Sequence, residues 1–241
     1  MPTREDWMRR LGPLYGGAVA LVRSTPWRWP DAVTDEPRSP IWLVALGAPI
    51  GVAAWAVAAL AHGAGMPAAI GAVLGIAMLT AASAALIERG LAERVDHWQG
   101  QARPTTAAVV TLVFVTALRI AAFASVDPAR WLGVLVAAAL TGRWAAVFLQ
   151  AVGEPIRDDD AGRSLVATQA PAWLAAAMGL AVAAIAVLAL GKIGVVAVVF
   201  AAALAFAIGL DAQRRDGSLS APAVAMAAAV GEIAVLLVAT I

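Results

Sequence analysis

Cysteine is absent from the chain, and only two histidines are present, His62 and His97. This excludes disulfides, thiolate zinc, iron–sulfur ligation and a cysteine nucleophile, and it leaves little for a histidine metal cage. Charge is scarce as well: 14% of the 241 residues are Asp, Glu, Lys or Arg, against about 25% in an ordinary soluble domain. The net charge is +1, so no basic surface points to nucleic acid, and no nucleic-acid partner is expected. What abounds is apolar: 62% of residues are hydrophobic and the mean hydropathy is +0.83. A soluble globule of this size could not hide so much apolar surface. The apolar runs are continuous rather than alternating, which argues against a transmembrane β-barrel. The composition implies an all-α, polytopic integral membrane helix bundle with the lipid bilayer as its first partner.

A helix crosses roughly 30 Å of hydrocarbon with about 20 residues. Seven runs qualify: 41–61, 67–87, 105–124, 129–150, 172–190, 193–210 and 222–241. The intervening segments carry Pro, Gly or charge, which is the punctuation expected between spans. Residues 172–210 hold a single charge, so one long bent helix is an alternative to two spans there. Segments 1–40, 88–104, 151–171 and 211–221 together hold thirteen Lys and Arg, against two in the loops between them. Positive loops stay in the cytoplasm. The expected orientation in a bacterial cytoplasmic membrane therefore has the N terminus inside and the C terminus outside. Residues 11–22 are apolar but too short to span, and read as an interfacial helix with tryptophan anchors. A signal peptide is the rival reading, but no small-x-small cleavage site follows. Two regions are expected: a cytoplasmic or interfacial segment over 1–40 and one transmembrane domain over 41–241.

Gly47 and Gly51 are four apart, as are Gly71 and Gly75; such spacing lets helices approach closely. Most of the nine Trp lie near span ends and read as interface anchors. Ionisable groups in or beside spans are costly and so more informative. Glu88, Arg89, Glu93 and Asp96 close the second span, Arg119 lies in the third, Arg143 and Gln150 in the fourth and Glu232 in the seventh. Arg89 and Glu93 are spaced as a surface i,i+4 pair, worth a few tenths of a kcal/mol. Glu232 is expected inside the bundle, with Arg119 or Arg143 as partner. Together these groups suggest a polar pocket opening to the cytoplasmic side.

The stretch Thr80-Ala81-Ala82-Ser83-Ala84-Ala85-Leu86-Ile87-Glu88-Arg89-Gly90-Leu91-Ala92-Glu93-Arg94-Val95-Asp96 resembles the signature of the cobalamin-5′-phosphate synthases, or adenosylcobinamide-GDP ribazoletransferases. That signature reads Thr-Gly-x-x-His-x-Asp-Gly-Leu-Ala-Asp-x-x-Asp-Gly. Further segments resemble the family in order: Ala48-Pro49-Ile50-Gly51, the span carrying Arg119, Gly142-Arg143-Trp144, Pro155-Ile156-Arg157-Asp158, and Gly231-Glu232.

The resemblance implies a late step of cobalamin biosynthesis, in which adenosylcobinamide-GDP is joined to α-ribazole or its 5′-phosphate and GMP leaves. A hydroxyl or phosphate attacks a pyrophosphate, and Mg²⁺ neutralises the charge that gathers. It implies catalytic and metal-binding roles for Glu88, Glu93 and Asp96. Phosphate or substrate contacts fall to Arg103, Arg119, Arg143, Arg157, Arg163 and Glu232, since guanidinium groups clamp phosphate oxygens. The sequence also departs from the signature. Its three acidic positions correspond to Arg89, Glu93 and Asp96, and the first is a cation. Two unit charges about 4 Å apart interact by roughly 4 kcal/mol at an effective dielectric near 20, so a cation there weakens Mg²⁺ binding. Two alternatives stand beside the transferase. One is a non-catalytic relative that binds or assembles with membrane corrinoid-pathway enzymes, with Arg89 neutralising Glu93 or Asp96. The other is a small-molecule carrier or channel subunit with a polar path across the bilayer.

Overall fold

The computed structural model describes residues 4–27, 39–101, 105–154 and 164–241, and these form helices without strands. Two short helices open the chain, α1 (Arg4–Leu11) and, after a 3₁₀ turn, α2 (Tyr15–Ser24). Trp7, Tyr15, Val19 and Val22 bury against one another there, apart from the main core. The first span is made of α3 (Pro40–Ala45) and α4 (Gly47–Gly63). Then follow α5 (Ala68–Ala82), α6 (Leu86–Trp98), α7 (Thr106–Ala124), α8 (Trp131–Val152), α9 (Ala172–Leu190), α10 (Ile193–Asp216) and α11 (Ala221–Val238). Among the described residues six helices, with α3 and α4 counted as one, are long and apolar enough to cross a membrane, and α5 with α6 would make a seventh span.

The second expected span, 67–87, is corrected. Helix α5 stops at Ala82, and α6 leaves at an angle of 80°. The turn is made by Ala84 and Ala85, whose φ angles are +52° and +54°. Ala84 N–H donates to the Ala81 carbonyl and Ala85 N–H to the Thr80 carbonyl, the paired bonds of a Schellman stop. Glycine normally occupies that left-handed position. Alanine is the best helix former, so nothing in the residue types at 81–85 marks the stop. The loop expected over 88–104 is corrected too, since 86–98 is helical. Ile87, Leu91 and Val95 recur every fourth residue and bury one stripe of α6.

Elsewhere the expected boundaries hold within a few residues. The open question over 172–210 resolves into two helices, broken at Gly191 with φ +71°. Helix α10 runs on to Asp216, six residues past the expected end, because its last turns pair with α6.

Helices α8 and α11 form the centre. Their apolar windows are 78% and 61% buried, against 22% for α7 and 28% for α9, which lie on the rim. Small residues allow the central approach. A Cβ on Gly142 would stand 2.6 Å from Glu232 Cγ and 2.8 Å from the Ala228 carbonyl oxygen. Gly47 and Gly51 pack on the backbone of α8, and Gly71 and Gly75 pack on Trp131 and α4. The small-residue spacing thus serves contacts within the chain. Trp131 and Trp144 depart from the interfacial reading: both are buried, and Trp144 donates to the Ala175 carbonyl from mid-helix.

Contacts also sort the loops by end. Arg94 reaches Asp216, and Gly153 packs on Leu219, so the ends of α6, α8 and α10 lie together. At the opposite end His62 meets Trp131 edge-on at 5.6 Å, and Gly133 packs on Ala189. The bent pair α5–α6 therefore links the two ends of the bundle. The grouping matches the alternation of basic loops along the sequence.

Candidate functional site

The buried polar residues converge beside the α5–α6 bend. Arg119 projects inward from α7, a span whose other residues are uncharged, and is 3% exposed. Its Nη1 donates to Glu88 Oε1 at 2.6 Å. Its Nη2 donates to Glu232 Oε2. Glu88 stands one turn past the bend on α6, and its Oε1 also accepts from Thr80 Oγ1 at 2.6 Å. Glu232 comes from α11 and is fully buried. Arg143, fully buried on α8, donates through Nη2 to Ser83 Oγ at 3.0 Å, inside the bend itself. Two guanidinium groups thus face two carboxylates, so formal charge balances where unpaired charge would be most costly. Arg143 and Glu232 each lie about 17–18 Å along their helices, at 1.5 Å per residue. The cluster sits near mid-height of the bundle, so Glu88, expected at the end of its span, joins residues expected within theirs. Glu88, 16% exposed at its side chain, is its least buried ion.

Several atoms of this cluster make no hydrogen bond among the described residues: Arg143 Nε and Nη1, Arg119 Nε, Glu88 Oε2 and Glu232 Oε1. Two free N–H groups of a buried guanidinium suit an anionic oxygen. The free carboxylate oxygen of Glu88 suits a proton or a hydroxyl donor.

The remaining expected site residues are placed differently. Glu93 is exposed and pairs with Arg89 at 2.6 Å. Asp96 accepts from Thr105 N–H at 2.9 Å and Thr105 Oγ1 at 2.6 Å, and so anchors the start of α7. Glu88, Glu93 and Asp96 therefore face three different partners. Among the described residues no three His, Asp or Glu side chains gather to hold a metal. The partners are the cause: Glu88 is held by Arg119, Glu93 by Arg89 and Asp96 by Thr105. Arg103, Arg157 and Arg163 lie outside the described residues. Gln150, noted within its span, accepts from Ala167 N–H at 2.9 Å and ties down the segment leading to α9.

Sequence reasoning missed two members of the site, Thr80 and Ser83. Their spacing of three, just before a charged run, was the available signal. It also missed a second charged group. Buried Arg94 of α6 donates to Asp211 at 2.9 Å and to Asp216 at 2.5 Å, both on α10. Trp98 Nε1 donates to Asp211 at 2.8 Å, and His97 meets Asp216 at 2.7 Å. This group clamps the far end of α6. No local pattern announces it, because the partners are more than 110 residues apart.

A profile of the cobalamin-5-phosphate synthase family matches residues 18–240. No curated protein and no solved structure shows significant similarity to the chain. The match spans nearly the whole sequence and includes every residue of the buried cluster. The chain belongs to the cobalamin-5-phosphate synthase family, membrane transferases of cobalamin biosynthesis that act on corrinoids.

Proposed function

We propose that the chain joins adenosylcobinamide-GDP to α-ribazole or its 5′-phosphate and releases GMP. One observation carries this reading. The stretch that resembles the family signature bends at the point where Ser83, Glu88, Arg119, Arg143 and Glu232 meet. Arg143, with two free N–H groups, binds a pyrophosphate oxygen. Glu88, the least buried ion, takes the proton of the attacking hydroxyl. Arg119 holds Glu88 and is a positioning residue. Arg103, Arg157 and Arg163 would extend the phosphate contacts from the loops at the basic end. The basic end faces the cytoplasm, with the N terminus on that side and the C terminus opposite, and substrate enters along α6.

The resemblance implies Mg²⁺, which when bound would neutralise pyrophosphate charge. Glu88, Glu93 and Asp96 do not fit one shared ion, since each faces a separate partner. The roles above use only the chain's own groups.

The test is transfer by the full chain reconstituted in lipid, with cobamide and GMP followed together. Equal yields of both are expected. Glu88→Gln should lower the rate at least about 100-fold, the range for losing a general base. A second reading is favoured by the Arg89–Glu93 pair, which fills with a cation a position the signature gives to a carboxylate. It is a non-catalytic partner of membrane corrinoid enzymes. Retained corrinoid binding without product would establish it against the transferase.

A further inference from the structure

Among the described residues, Arg119 is the one group on which two carboxylates from different helices converge. Its Nη1 takes Glu88 of α6 and its Nη2 takes Glu232 of α11. We infer that Arg119 stands where a divalent cation would sit, as a covalently fixed counter-charge, and that Glu88 and Glu232 form a divalent-cation site only when its guanidinium is removed.

Hard divalent cations seek several anionic oxygens at once. Half-buried Glu88 and fully buried Glu232, from two different helices, face a common point, and a guanidinium fills that point. Glu93 and Asp96 supply no further ligand, being held by Arg89 and Thr105. Charge balance argues the same way. Arg119 and Arg143 already match the two carboxylates, and a bound dication would leave the buried cluster at a net charge of +2. Burial of Arg119, Arg143 and Glu232 leaves such a charge poorly screened. Without Arg119 the cluster carries a net charge of −1, with two carboxylates aimed into a space of guanidinium size. Each also keeps one oxygen without a hydrogen-bond partner, Glu88 Oε2 and Glu232 Oε1. This inference concerns cation binding and holds whether or not the chain transfers, so its failure is read separately from failure of the transferase.

The probe is Mn²⁺ alone, followed by electron paramagnetic resonance on the detergent-solubilised full chain. In the native background, Glu88→Gln and Glu232→Gln should leave Mn²⁺ affinity within about twofold. Arg119→Met should bind one Mn²⁺ at least about tenfold more tightly than the native chain, and adding Glu232→Gln should abolish the gain. Arg119→Lys, which keeps the cation, should match the native chain. A tenfold loss of Mn²⁺ affinity in either native-background glutamine variant would overturn the inference, and so would a folded Arg119→Met chain that gains no site. If Arg119→Met does not fold, the two glutamine variants still decide.

Discussion

At the residue scale, Arg119 ties three helices together. It joins α7 to α6 and to α11 through one side chain. Removing one partner of a buried ion pair leaves the other charge uncompensated, which costs about 3–5 kcal/mol. Arg119→Met should therefore lower the stability of the detergent-solubilised chain by that amount in thermal unfolding. Replacing a buried pair by apolar groups of similar volume is often nearly neutral. Arg119→Met combined with Glu232→Met should thus recover more than half of the loss. A double variant no more stable than the single one would show that the two side chains are not coupled. Arg119, Arg143 and Glu232 were legible in the sequence because an isolated charge in an apolar span has few places to go. Which partners they choose was not. Glu232 was open to either arginine, and the geometry gives its hydrogen bond to Arg119 while Arg143 turns to Ser83.

At the element scale, the bend between α5 and α6 sets the site. It carries Ser83 and brings Glu88 against Arg119. Residues 89, 93 and 96 all lie on α6 past the bend, at the one-face spacing the sequence reads, but Arg89 takes Glu93 and Thr105 takes Asp96. Two successive alanines held at positive φ are strained by about 1 kcal/mol or more each. Glycine relieves that but loses roughly 0.5–1 kcal/mol through chain entropy. Ala84→Gly should therefore leave the chain equally stable or up to about 1 kcal/mol more stable, measured by thermal unfolding. A clear loss would mean that the left-handed turn is not populated. The α8–α11 crossing gives the opposite case. Gly142→Ala drives a methyl to within 2.6 Å of Glu232 Cγ and 2.8 Å of backbone. Overpacking of this kind costs about 1–3 kcal/mol, and here it also pushes Glu232 off Arg119. Transfer activity should fall more than stability does. Gly63→Ala, where a methyl would meet nothing within 4 Å, is the matched control and should change neither.

At the scale of the whole molecule, hydropathy and basic-loop alternation carried most of the architecture, because bilayer thickness and the cost of translocating positive charge act on every span alike. What they could not carry was depth. Glu88 reads as the end of its span, whereas the broken second span brings it to the level of Arg143 and Glu232. Long-range pairs such as Arg94 with Asp211 and Asp216 were equally invisible, having no local spacing. The same broken span decides the parity of the fold. The start of α7 is tied to Asp96 of α6, and the start of α8 meets the end of α4. With α7 crossing between those two ends, α5 and α6 together should cross as well, and seven crossings are the expected outcome. The absence of native cysteine allows a clean test with single cysteines and a membrane-impermeant maleimide on intact cells. Ala64→Cys and Lys192→Cys should label from outside. Gln99→Cys and Arg214→Cys should label only after lysis. All four positions are exposed, so silence at one is read as sidedness once labelling after lysis is shown. Reversed labelling at all four would invert the orientation and leave the fold intact. Labelling of Ala64→Cys and Gln99→Cys from the same side would show that the bent pair turns back without crossing, and the seven-crossing bundle would fall.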